Sequence, residues 1–184
     1  IYLQAYAQGV PVEQVDVSKW TRPLSHAQRE ALCGVCGEAC RRFSASEVGV
    51  RVHAAIAAGR LVRTDYLFKM GADGYLVTGS MDLLFEDADG TYVIIDYKTD
   101  GIVAPELYYG QQACYRQAAA EILGAPLSSV RCVLYYVRFD RCVDITDRTD
   151  VPLSAELFRR LSEEGADAPA AVDGADVIGF PSSP

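Results

Sequence analysis

At 184 residues, with 50% apolar and 23% charged, the chain has the size and balance of one globular domain with a full core. A net charge of −8 argues against a freestanding protein that grips nucleic acid through a basic surface, because Lys and Arg supply most non-specific affinity for phosphates. No apolar run is long enough to span a bilayer and no basic-then-apolar leader opens the chain, so the expectation is a cytoplasmic protein with no membrane partner.

The chain begins at Ile1 in mid-pattern, with Tyr2, Leu3 and Tyr6 already spaced like a helix face, as expected of a piece of something longer. Helical period then covers residues 25–43, opened by a Ser25 cap, and 46–58, closed by Gly59. Leu32, Cys36, Ala39, Cys40 and Phe43 recur at helical spacing and are expected to face the core. Cys33, Cys36 and Cys40 are read as small apolar residues of that helix, since zinc takes four ligands and no second Cys pair is near. Six cysteines without a secretory leader are read as reduced thiols.

From Leu61 the period changes to three strand-like runs, 61–70, 75–85 and 92–97, divided by turn signals at 71–74 and 87–90. A helix over 106–123 follows, stopped by Gly124-Ala125-Pro126. Strands at 130–139 and 142–145, joined by a tight turn at Asp140-Arg141, and a helix over 154–161 complete the pattern. The tail from Gly165, rich in Ala, Gly, Asp and Pro, is expected to be loosely ordered. These elements predict an α/β fold with a mixed central sheet flanked by helices. A single domain fills 1–164, with a helical part at 1–60, a core at 61–147 and a last helix at 153–164; the tail is 165–184.

The chemistry concentrates where the run Tyr92-Val93-Ile94-Ile95 ends in Asp96-Tyr97-Lys98. Strand side chains alternate, so Asp96 and Lys98 share a face and Tyr97 points away. The turn at 87–90 folds Asp82 back beside Asp96. Lys98 is one of only three lysines, with Lys19 and Lys69, and a lysine ending a buried strand needs a reason. Cleaving a phosphodiester requires an activated water, neutralised phosphoryl oxygens and a stabilised leaving alkoxide, all of which a divalent ion serves. Mg²⁺ takes one or two carboxylates, which Asp82 and Asp96 supply. Lys98 holds the attacking water, helps deprotonate it, or acts as a point charge on the transition state. Alone, an Asp-x-Lys is better read as a strand-end ion pair, with Asp82 merely starting a turn. On the next helix Tyr108, Gln111 and Tyr115 lie at i, i+3 and i+7, a face able to bind phosphate or a base edge, or simply to pack.

The ordered set Gly79-x-x-Asp82, Asp96-Tyr97-Lys98-Thr99-Asp100 and Tyr108-x-x-Gln111-x-x-x-Tyr115 resembles the RecB family of nuclease domains within the PD-(D/E)XK superfamily. The segment 43–68 is similar to the region before these motifs in AddA-type helicase–nuclease subunits, so the resemblance covers about residues 42–145. It implies a restriction-endonuclease-like fold and a Mg²⁺- or Mn²⁺-dependent deoxyribonuclease of exonuclease type acting in double-strand-break repair. Asp82, Asp96 and the backbone carbonyl of Tyr97 would be the metal ligands and Lys98 the catalytic lysine. Tyr108, Gln111 and Tyr115 would contact substrate, Gln111 and Tyr115 being the family's QxxxY pair. Asp65 stands where the family usually has Glu and is given a supporting role. The family's active-site histidine is not matched by His53, which falls too close to the following strand, and is expected before Ile1 or to be absent. Cys132 and Cys142 lack the spacing of the iron–sulfur variant, so no cluster is expected. No GxxxxGK[ST] loop is present. ATP would therefore bind helicase domains of the same longer polypeptide, which would deliver single-stranded DNA, with an AddB-type second subunit as a further partner. The acidic charge and the unplaced histidine support one alternative, a non-catalytic module that keeps the nuclease fold and docks onto DNA or a partner subunit.

Overall fold

The structure, a computed structural model, describes residues 3, 5, 10, 14, 15, 23–164 and 176–179. The expected helix face at Tyr2 and Tyr6 and most of the tail lie outside the described residues.

Helix α1, His26–Ala45, opens on a capping box: Ser25 accepts from the Gln28 backbone and the Gln28 side chain accepts from the Ser25 N–H. Ser46 ends it and caps α2, Glu47–Ala57, by accepting from Gly49 N. Gly49 is required at this corner, since a Cβ there would lie 1.9 Å from the Phe43 carbonyl oxygen. Only the C-terminal part of α1 reaches the core, through Ala39, Cys40 and Phe43. Leu32, expected inside, is exposed because the first half of α1 runs past the packed layer among the described residues.

Strand β1, Val62–Ala72, and β2, Tyr75–Glu86, form a hairpin closed by Asp73 and Gly74, both at positive φ, as a two-residue turn matched to strand twist requires. Strand β3, Tyr92–Lys98, is antiparallel to β2 and parallel to β4, Val130–Tyr136. Helix α3, Tyr109–Leu123, makes the β3–β4 crossover and ends at left-handed Gly124. Its expected first turn, Pro105–Tyr108, is a 3₁₀ turn. Strand β4 stops at Tyr136 rather than Phe139, and its turn spans 137–140 rather than Asp140-Arg141, because Phe139 N–H bonds the Tyr136 carbonyl and Tyr135 donates to Asp140. Strand β5, Arg141–Asp144, and helix α4, Ala155–Glu164, follow. The Asp73 carboxylate accepts from Ala155 N, tying the β1–β2 turn to the start of α4. The last strand, β6, Asp176–Gly179, lies where the sequence suggested a loose tail; it pairs with Tyr75–Thr78 of β2, an edge that β3 leaves open.

The sheet order is β1-β2-β3-β4-β5, with β6 beside β2, and it is mixed, as expected. Residues of α1 and α2 (Phe43, Val48, Val52, Ala55) pack on one face against Leu83, Phe85, Ile95 and Tyr135. Those of α3 and α4 (Cys114, Tyr115, Ala118, Phe158) pack on the other against Met81, Leu84, Ile94 and Leu134. The result is a three-layer α/β sandwich of restriction-endonuclease-like form. Arg116 pins α3 over β4: its buried guanidinium donates to the carbonyls of Val130, Thr146 and Leu127. Among the described residues no helix is long and apolar enough to cross a membrane.

Candidate active site

The site grows from an irregularity in the sheet. Met81 faces the α3 layer and Leu83 the α1–α2 layer, although two residues apart on one strand should share a face. On β1, Tyr66 packs on the α3 side and Val62 on the other. The pleat of both strands therefore slips between these pairs, at the level of Asp65 and Asp82, where the β1–β2 ladder skips a pair and Asp65 adopts φ 48°. The β2–β3 ladder also ends there, at Leu83↔Ile95. The Tyr97 N–H donates to Asp82 Oδ2 at 2.8 Å, so a carboxylate replaces the carbonyl that a continued ladder would have supplied.

Strand β3 keeps its regular pleat. Asp96 and Lys98 face α3 together, with Lys98 Nζ 2.8 Å from Asp96 Oδ2. Tyr97 turns into the opposite layer, edge-on to Phe43 and Tyr135, so only its backbone is at the site. Asp82, Asp96 and Lys98 are 4%, 3% and 7% exposed. The two carboxyls lie close enough for the charge of one to act on the other. Burial, and then the charge of Asp96, pushes Asp82 up to about 7. Asp96 is pushed up as well, burial outweighing the pull of Lys98.

Helix α3 lays a polar edge over this trio. Gln111 Oε1 accepts from Lys98 Nζ at 3.4 Å, and Gln111 Nε2 donates to Tyr115 Oη at 3.2 Å. The Tyr115 ring is buried edge-on against Phe68. Tyr108 sets its ring 3.6 Å beneath the Lys98 ammonium, a cation–π contact, and donates from Oη to Asp100 Oδ2 at 2.9 Å. Burial and the Asp100 bond push the Tyr108 phenol up, so it remains a donor. The structure thus brings Tyr108, Gln111 and Tyr115 to the lysine. Asp65 is exposed, on the strand beside Asp82 but outside the buried trio. His53 is exposed on α2, and His26 sits in the first turn of α1 beside Glu30. Of the basic residues near α1 and α2, Arg41 pairs with Glu38 and Arg51 with Asp87.

Sequence reasoning missed two polar partners. Asp100 holds Tyr108. Gln112, fully buried, donates from Nε2 to Asp96 Oδ2 at 2.6 Å. Its Oε1 has no hydrogen-bond partner among the described residues, an arrangement that costs about 1–3 kcal/mol in a core. The available signal was helical spacing: Gln112 lies four residues after Tyr108 and three before Tyr115, on the same inward edge.

The family model of the PD-(D/E)XK nuclease superfamily matches residues 4–176. The chain belongs to that superfamily. No curated protein matches it. PD-(D/E)XK nucleases generally use Mg²⁺ or Mn²⁺, and the donor set here suits such an ion. Two hard carboxylates lie together with their charges suppressed, a strain that a cation between them would relieve. Among the described residues no three His, Cys, Asp or Glu side chains gather as a metal cage, so waters or substrate oxygens would complete the shell, as Mg²⁺ prefers.

A pH effect follows. Below its ordinary value of 3.8 Asp82 is protonated in folded and unfolded chain alike. As pH rises from there through about 7, the unfolded chain gives up the proton while the fold retains it, so stability must fall across that window. In EDTA the melting temperature is expected to drop with a cost on the order of 2–4 kcal/mol, and Mn²⁺ added at about pH 8 is expected to reverse it. Scanning fluorimetry with and without Mn²⁺ measures both. A flat profile would mean that the pair is not strained.

Proposed function

We propose that this chain is the DNA-cleaving domain of a RecB-type helicase–nuclease, of the kind found at the C-terminal end of AddA-type subunits, acting in double-strand-break repair. The observation that carries the reading is the convergence of Asp82, Asp96 and Lys98 at a break in the sheet, under a helix that presents Gln111 and Tyr115. Asp82 and Asp96, with the Tyr97 carbonyl, would hold Mg²⁺ or Mn²⁺. An ion held there would supply neutralisation of charge on the scissile phosphate and activation of a water near neutral pH.

The remaining steps belong to the chain. Lys98 sits on the face of Asp96, where its ammonium can orient the attacking water and offset charge on the phosphorane. Gln111 and Tyr108, the latter fixed by Asp100, hold that ammonium, so its position is set before substrate arrives. Gln111 and Tyr108 are only half-buried and can reach a phosphate or base edge. The net charge of −8 suits a domain to which single-stranded DNA is delivered by helicase domains of a longer polypeptide, beside an AddB-type second subunit, rather than one that captures DNA alone. The setting is cytoplasmic.

The test is Mn²⁺- and Mg²⁺-dependent cleavage of end-labelled single-stranded DNA, beside Lys98→Ala. Metal-dependent cleavage by the wild type that disappears in the variant is the expected result. An intact fold that neither cleaves DNA nor binds a divalent ion would instead assign the non-catalytic docking role.

A further inference from the structure

We infer that Gln112 is a positioning residue that aims the Asp96 carboxylate for the divalent cation; this rests on the metal-dependent reading of the site. Three observations combine. Gln112 is fully buried at a helix position where Ala113, Cys114 and Ala118 around it are apolar and small. Its amide N–H₂ meets Asp96 Oδ2 at 2.6 Å, the same oxygen that Lys98 approaches at 2.8 Å. Its Oε1 is left without a partner among the described residues, so the side chain is not there to complete a closed polar network.

The two donors fix one Asp96 oxygen from opposite elements, Lys98 from β3 and Gln112 from α3. A carboxylate held by two donors on Oδ2 cannot rotate freely, and Oδ1 is left to ligate. Partners that orient a ligand in this way commonly set its metal affinity. Lys98 is not a dedicated partner, because its ammonium is shared with Gln111 and Tyr108, whereas the Gln112 amide donates to Asp96. Gln112 acts through Asp96 and touches neither substrate nor the reacting atoms.

The decisive comparison is Mn²⁺ titration calorimetry on the whole chain, wild type beside Gln112→Met, which keeps length and removes the donor. Affinity is expected to fall about tenfold while the metal-free melting temperature stays close to wild type. In DNA cleavage the loss should appear in kcat at low Mn²⁺, with KM for DNA unchanged, and raising Mn²⁺ should recover it. A merely structural role would not respond to Mn²⁺. Should Gln112→Met fail to fold, Gln112→Asn, whose shorter amide cannot reach Asp96, is expected to show the same loss. Equal Mn²⁺ affinity in wild type and a folded variant overturns the inference and leaves the metal site standing. A wild type that binds no Mn²⁺ overturns both.

Discussion

Asp82→Asn is expected to abolish cleavage and, at the same time, to stabilise the metal-free protein. The activity loss should be on the order of 10³-fold or more in kcat, the scale seen when a group that stabilises transition-state charge is removed. The gain in stability has a separate origin. Asn is isosteric with Asp and its Oδ1 can still accept the Tyr97 N–H that ends the β2–β3 ladder, so the splayed strands keep their bridge. What disappears is a buried acid pushed up to about 7 by burial and by the charge of Asp96. At about pH 8 the wild type must hold that charge in the fold, and the variant need not, which predicts a gain of about 1–3 kcal/mol. The gain should shrink as pH falls through about 7 and vanish near 3.8, where Asp82 is protonated in every state. Thermal melts of both proteins at several pH values, without metal, measure it. A variant less stable than wild type at about pH 8 would show that Asp82 is chiefly a strut of the sheet.

How far the sequence reveals the site depends on which strand carries each residue. Strand β3 is regular, so alternation alone places Asp96 and Lys98 together and sends Tyr97 to the other layer. Strand β2 is not regular. Met81 and Leu83 have equal parity and opposite faces, and because both faces of the sheet are covered by helices, both residues are apolar and the slip leaves no trace in the pattern. The turn at 87–90, rather than the strand pattern, is what places Asp82 in the sequence, and a side chain that bridges a broken ladder to Tyr97 leaves no signal there.

Helix α3 hides its workings for a related reason. It is buried over most of its circumference, from Gln112 through Tyr115 and Arg116 to Ala120, so no apolar stripe marks one inward face. Gln111 belongs to the QxxxY motif, yet it is Gln112 beside it that reaches the acid directly. In α1 the opposite error arises: apolar spacing suggests burial for Leu32, but the helix is buried only at Ala39, Cys40 and Phe43, in its C-terminal part. Periodicity reports which side of an element is apolar. It does not report how far the neighbouring layer extends.

Gly79→Val is expected to lower cleavage about 100-fold although Gly79 touches no acid, because a displacement of about 1 Å in a positioning group has that effect. The reasoning runs through a ring. A Cβ at Gly79 would lie 2.9 Å from Phe68 Cε1 and 3.0 Å from Tyr115 Cε1, closer than carbon atoms pack. Both rings are buried and locked edge-to-face at 5.4 Å, so they can yield only by shifting together. Tyr115 carries its hydroxyl with it, away from Gln111 Nε2, and Gln111 in turn releases Lys98. Overpacking of this kind costs about 1–3 kcal/mol of stability, which a domain of this size can tolerate while remaining folded. The mechanism predicts coupling: in a Tyr115→Ala background the ring is gone, the Gln111 contact is already lost, and Gly79→Val should add little further loss in kcat. Full additivity of the two substitutions would show that Gly79 acts by another route, through β2 itself, where it directly precedes the stretch in which the pleat slips.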